Sequence, residues 1–139
     1  IAVYHDDRII STFRETVRHI DNGGNVLIFP EKDDKHNNIL YKFQEHFIDV
    51  AKLYYKKTGV ELDFTPIYIA PTLKKVYVGE SIKFDGENDI QSERNRISTY
   101  LSEQITSIAR GLPEHIVVPY RNIPKKHYLT NKDITEVPK

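Results

Sequence analysis

The run Gly23-Gly24-Asn25-Val26-Leu27-Ile28-Phe29-Pro30-Glu31 constrains the fold of this chain more than any other. Two glycines close a preceding helix, because glycine takes the left-handed conformation that a helix stop requires. Four consecutive apolar residues then read as a strand covered on both faces, which is the pattern of a parallel sheet flanked by helices. Pro30 cannot donate a backbone hydrogen bond at the end of that strand, so the chain leaves the sheet there. The next side chain, the carboxylate of Glu31, is expected to project into the crevice beyond the strand ends, where ligands of open α/β sheets sit. A solvent-exposed glutamate at a strand terminus is the plain alternative.

The flanking sequence extends the same pattern. Ile1-Ala2-Val3-Tyr4 reads as a strand, and the carboxylates of His5-Asp6-Asp7-Arg8 offer a cap to a first helix that runs to about Asp21. Its Ile9, Phe13, Val17 and Ile20 recur at spacings of three and four, which places them on one face. Pro30 to Asn38 is a polar loop. Ile39 to about Lys57 is expected as a helix presenting Phe43, Phe47, Val50 or Ala51, and Tyr54, with Gly59 as its stop. An aromatic stripe of that kind packs a core or lines an acyl-binding surface. Leu62 to Ala70 reads as a second buried strand with Pro66 marking an edge or bend, Lys74 to Gly79 alternates, and Ser81 to Phe84 extends the sheet. After a turn at Asp85-Gly86-Glu87-Asn88, the stripe Ile90, Ile97, Leu101, Ile105 and Ile108 predicts a long helix that stops at Gly111. The fold expected is α/β, a mostly parallel central sheet flanked by helices over residues 1–111. Residues 112–139 hold Pro113, Pro119, Pro124 and Pro138 and no period, so they read as an arm packed on that body.

Composition bounds the function. Lys plus Arg and Asp plus Glu both total 20, so no basic field exists to attract nucleic acid. Cysteine is absent, which excludes disulfides, thiolate catalysis and cysteine-ligated zinc and suits the cytoplasm. No apolar run approaches the roughly 18 residues that span a bilayer, so any membrane contact is peripheral, at the cytoplasmic surface. Arg121 to Tyr128 mixes cations with apolar groups, and it reads either as a solvated stretch or as a contact with an anionic bilayer. The chain lacks methionine and opens on a strand, which reads as a sheet incomplete at its N-terminal side. Such a sheet presents an edge with which a second copy can pair. Asp33, Asp34 and His36 lack further ligands at metal spacing, and Gly79-Glu80-Ser81 lacks the second glycine of a nucleophile elbow. Phosphate-binding glycine loops and dinucleotide fingerprints are absent too.

The succession of helix, double glycine, apolar strand, Phe29-Pro30-Glu31, polar loop, aromatic helix and a strand containing Pro66-Ile67-Tyr68 resembles the glycerolipid (lysophosphatidate) acyltransferase family over nearly the whole chain to about Gly111. The resemblance matches Glu31 to the family's glutamate and Pro66 to a proline on a later strand. His5 or Arg8 stands where the family has an arginine, and Arg8 is preferred because a permanent cation with several donors grips phosphate by paired bonds. The family follows Phe-Pro-Glu with glycine, threonine and arginine, whereas this chain has Lys32-Asp33-Asp34-Lys35-His36, so Lys32, Lys35 or His36 would act as point charges. The substrate-binding set implied is Arg8, Phe29, Pro30, Glu31, Lys32, Lys35 and Pro66.

The implied reaction is transfer of a fatty acyl group from acyl-CoA or acyl carrier protein, as co-substrate, to lysophosphatidate or a related glycerol phosphate in phospholipid synthesis, with no cofactor or metal. The family's reactive histidine and aspartate, separated by four residues, lie upstream of this block. None of the six histidines here is followed five positions on by aspartate. The chain is therefore expected to be the C-terminal part of such an enzyme, with no catalytic residue of its own and no activity alone. A noncatalytic lipid-binding or interaction domain of the same fold is the alternative.

Overall fold

The computed structural model describes residues 9–32, 38–119 and 123–134. Helix α1 (Ile9–Asp21) forms over the predicted stripe, and Gly23 closes it at φ 84°. Val17 of α1 packs against Val50 and Tyr54 of helix α2 (Asp49–Thr58), with Phe13 and Ile20 beside them. Gly59, at φ 71°, ends α2 by donating its N–H to Tyr55 O. The helix expected from Ile39 starts later than its apolar spacing suggests. Ile39, Leu40, Tyr41 and Phe43 are all buried, yet they belong to an irregular segment that precedes a short 3-10 turn, Glu45–Ile48. The reason is local: backbone groups of Tyr41, Lys42 and Gln44 bond to Glu31, Lys32 and Pro30 and so are not available for helical bonds.

The mostly parallel central sheet does not form. Strands β1 (Asp63–Phe64), β2 (Ile67–Ala70), β3 (Lys75–Val78), β4 (Ile82–Lys83), β5 (Ile116–Val117) and β6 (Leu129–Thr130) make three two-stranded sheets among the described residues, β1 with β4, β2 with β3 and β5 with β6, and every pair is antiparallel. Two physical reasons account for this correction. The connection from β2 to β3 is only Pro71–Lys74, and parallel neighbours require a crossover of about a dozen residues or more. Val26–Phe29, which reads as a central strand, joins no ladder among the described residues. The predicted strand over 62–70 is likewise split at Thr65-Pro66, where proline has no N–H to give.

Consecutive apolar residues in β2 also do not mean that both of its faces are covered. Tyr68 and Ala70 point into the core, whereas Ile69, Val76 and Val78 are 42 %, 59 % and 65 % exposed. In register, Ile69 lies opposite Val76 and Ile67 opposite Val78, so the hairpin presents one packed face and one open apolar face.

Helix α3 (Ile90–Gly111) organises the rest. Asp89 caps it by accepting bonds from the N–H groups of Gln91 and Ser92. Its Ile97 and Leu101 join Leu40, Phe43, Ile48, Ala51 and Phe84 in one cluster, and its Ala109 joins Ile39, Tyr68, Ala70, Val117 and Ile134 in another. Arg94 grips Asp49 of α2 through two bonds of 2.8 Å, the fork geometry that favours arginine at such sites.

Glu93 is fully buried beneath this helix. Its carboxylate accepts from Arg96 Nε at 2.9 Å and Nη2 at 2.6 Å, from Asn88 Nδ2 at 2.9 Å and from the Asp85 N–H at 3.0 Å. Burial alone would raise its pKa, but the Arg96 bonds, followed by those of Asn88 and Asp85, outweigh burial and lower it to about 2. A depressed carboxyl pKa contributes stability that is fully present above the unfolded value, near 4.5, and is lost as pH falls toward about 2. Glu93→Gln is expected to cost about 2 kcal/mol at pH 7, because four donors lose the buried charge and one of their two acceptor oxygens, which an NH2 donor replaces. Urea midpoints at constant m measure this, and the gap from the parent should shrink through the acid range; equal midpoints at pH 7 would contradict it.

Candidate functional site

Glu31 is placed by a single antiparallel bridge to Phe43. Lys32 N–H donates to Lys42 O at 2.7 Å and Gln44 N–H to Pro30 O at 2.7 Å, which holds the loop after Phe29-Pro30 against the buried segment 39–43. The carboxylate itself accepts the Tyr41 N–H through Oε2 at 3.0 Å. It is half-buried, and that burial raises its pKa against the opposing pull of the Tyr41 bond.

The group opens onto a cleft of about 960 Å³. One wall is the run Val26–Pro30, another is Ile67, Tyr68 and Ile69 of β2 with Val117 and Val118, and the interior reaches Phe43, Phe47, Leu101 and Ile105. That volume lies at the upper end for small-molecule sites, and a mostly apolar wall with few polar groups is the usual character of such sites. His19 and Asp63 also line the cleft. The His19 ring lies over Gly24, where a Cβ would meet Nε2 at 2.2 Å, so only glycine permits this contact, and Nε2 bonds Asn25 O at 3.1 Å.

The sequence-predicted residues fare differently. Arg8 and Lys35 lie outside the described residues, as do His5, His36, Asp33 and Asp34. Phe29, Pro30, Glu31 and Pro66 are brought together around the cleft. Phe29 is 65 % exposed, whereas Pro66 is fully buried. Pro66 is a wall and not a polar contact: its O accepts the Gly79 N–H at 2.9 Å, and a Cβ at Gly79 would come within 2.9 Å of its ring. Lys32 is exposed on the open side of the bridge.

Sequence reasoning missed Lys42 and Tyr41. The bridge register sets exposed Lys42 opposite exposed Lys32, a like-charge cross-strand pair left to solvent. Tyr41 contributes its backbone N–H, which no side-chain pattern reveals. The Pro-Glu turn facing a Tyr-Lys-Phe run ten residues on was the available signal, hidden by reading the second segment as helix.

No three His, Asp or Glu side chains gather to hold a metal ion among the described residues. No helix among them is long and apolar enough to cross a membrane. Comparison with protein-family models, with curated proteins and with solved structures gives no match.

A carboxyl with a raised pKa costs the folded state stability once it ionises, so the penalty grows as pH rises from the ordinary carboxylate range through the folded pKa. Glu31→Gln keeps an acceptor for the Tyr41 N–H and removes this penalty. Its stability advantage over the parent should increase with pH across that window, and carbon-detected NMR titration should place the Glu31 carboxyl above the range of exposed glutamates. A carboxyl titrating with the exposed set would remove the basis for this expectation.

Proposed function

We propose that this chain is the acceptor-binding part of an acyltransferase that moves a fatty acyl group from acyl-CoA or acyl carrier protein to lysophosphatidate or a related glycerol phosphate. The observation that carries the proposal is a half-buried carboxylate set by Pro30 and Tyr41 at an apolar cleft. The apolar walls suit an acyl chain, Glu31 suits a glycerol hydroxyl as hydrogen-bond acceptor, and the Lys32–Lys42 pair suits a phosphate that relieves their mutual repulsion.

In the reaction, the acceptor hydroxyl attacks the thioester carbonyl, its proton passes to a base and the thiol leaves with the carrier. What these residues supply is position: fixing the hydroxyl relative to the thioester converts an encounter into an aligned approach. The base is assigned to a histidine–aspartate pair preceding this block, because no histidine of the chain is followed by aspartate at the family's spacing and the His46–Asp49 contact, 3.3 Å long, lies on a carboxylate already held by Arg94. That same absence favours the second reading, a noncatalytic lipid-binding domain. In either case the protein works at the cytoplasmic membrane surface, where its lipid resides.

Titration calorimetry separates these ideas from a site for a soluble metabolite. Lysophosphatidate below its micellar concentration should bind this chain, and glycerol 3-phosphate should bind at least tenfold more weakly, a difference of about 1.4 kcal/mol. Lys32→Glu with Lys42→Glu should reduce lysophosphatidate affinity about tenfold or more while leaving a neutral monoacylglycerol unaffected. A thioester-release assay on the chain alone should show no turnover. Equal affinity for the two phosphates would remove the lipid assignment, and turnover would remove the requirement for a preceding base.

A further inference from the structure

We propose that the outer face of the β2–β3 hairpin, with the lysines at its tip, docks on an anionic bilayer surface. Leu73 and Tyr77 pack against the cluster of Tyr68, Ala70 and Ala109, so the hairpin is seated by its inner face and held in one orientation. Its outer face sets Ile67 opposite Val78 and Ile69 opposite Val76, and of these four Ile69, Val76 and Val78 are exposed. Ile67, Ile69 and Pro71 line the cleft, whereas Val76 and Val78 lie beyond it. The same sheet face thus continues from the cleft wall onto outward-facing aliphatic surface, of the kind that marks contact with another apolar phase.

Charge at the tip selects the occupant. Between Asp63 and Glu80 the chain has two cations, Lys74 and Lys75, and no acidic residue. Both lysines are exposed, and neither forms an ion pair among the described residues. Lys74 also stands where glycine would fit better. It ends the 3-10 turn Pro71–Leu73 in the left-handed conformation, at φ 54°, and among the described residues no other non-glycine residue has a positive φ. At such a position lysine costs the turn stability that glycine would not, which points to a use for its charge. Cations beside aliphatic side chains are the combination that holds a protein to anionic lipid, since neither a few charges nor a small apolar patch suffices alone. A nucleic-acid backbone would satisfy the lysines and leave the valines in water. The inference rests on the lipid reading above for its purpose, because a protein that takes a membrane lipid into its cleft meets the bilayer beside that cleft.

Flotation of the whole chain with lipid vesicles tests the surface. The chain should float with phosphatidylcholine vesicles that hold about 30 % phosphatidylglycerol, and binding should fall as salt rises from about 0.05 to 0.5 M. Lys74→Gly with Lys75→Gln should lower the partition coefficient about tenfold, and Val76→Ser with Val78→Ser should lower it by about as much with far-UV circular dichroism unchanged. Lys74→Gly alone should leave the urea midpoint equal to or above that of the parent, since glycine adopts φ 54° freely, and weaker binding is then read apart from unfolding. Lys125→Gln with Lys126→Gln, in the other basic stretch, should change binding less than about twofold. Each variant should bind soluble lysophosphatidate as the parent does, because none of the substituted residues lines the cleft. Vesicle binding by a parent chain that fails to bind lysophosphatidate would uphold this surface and remove the acceptor reading alone. The docking surface is overturned by a chain that stays unbound at every anionic fraction, by hairpin variants that float as the parent does, or by a requirement for Lys125 and Lys126 in their place. A stable dimer that Val76→Ser with Val78→Ser abolishes overturns it equally, since a second copy then covers the face.

Discussion

Both main apolar clusters are built on one helix. Ile97 and Leu101 of α3 close the cluster shared with α2 and Phe84, Ala109 closes the one shared with β2, β5 and Ile134, and Ile105 packs against both. Full burial of a side chain such as Ile97 contributes on the order of 1.5–3 kcal/mol, so the rotation of α3 about its axis decides much of the folding energy. Polar contacts set that rotation. The Asp89 cap, the Glu93–Arg96 pair, the Arg94–Asp49 fork and the Tyr100 hydroxyl on Glu80 O attach α3 to the turn before it, to α2 and to the end of the hairpin. Apolar packing supplies the energy, and these directional bonds select one of the orientations it would tolerate.

Helices were legible in the sequence because their information is local. The stripe Phe13, Val17, Ile20, the stop at Gly59, the turn at Asp85-Gly86-Glu87-Asn88 and the run from Ile90 to Gly111 each reside within a few turns of chain. Sheet order was not legible. A run such as Val26–Phe29 specifies that its residues are apolar and β-prone, but its partner is a property of distant chain, and the same letters fit a central strand or an open edge. Apolar continuity in β2 suggests burial, whereas Tyr68 and Ala70 go in and Ile69 stays out. Residues 39–43 show the opposite error, since their apolar spacing suits a helix while Glu31 and its neighbours capture the backbone groups a helix would use.

For the candidate site, the sequence located the residue and missed its surroundings. Pro30 and Glu31 stand at the mouth of a cleft, as a proline-terminated apolar run suggests. What holds Glu31 is an N–H ten residues away and a bridge to Phe43, features of backbone geometry that side-chain patterns do not encode. The residue kept for its sequence context, Pro66, acts by shape, filling the space that Gly79 leaves. Lysine 42 was overlooked because its importance comes from sitting across from Lys32 and not from any motif of its own.

The far end of α3 closes without a left-handed residue, since Leu112 is extended at φ −80°. Its last carbonyls are met from a distance instead: Asn131 Nδ2 donates to Ala109 O at 2.7 Å and Leu112 O at 3.2 Å, and Lys132 Nζ donates to Arg110 O at 2.9 Å. Asn131 Oδ1 also accepts the His115 N–H at 3.0 Å, so one buried amide serves a helix end and a strand start together. During synthesis, the final turn of this helix must therefore leave the ribosome unsealed and wait some twenty residues for its terminus to be finished.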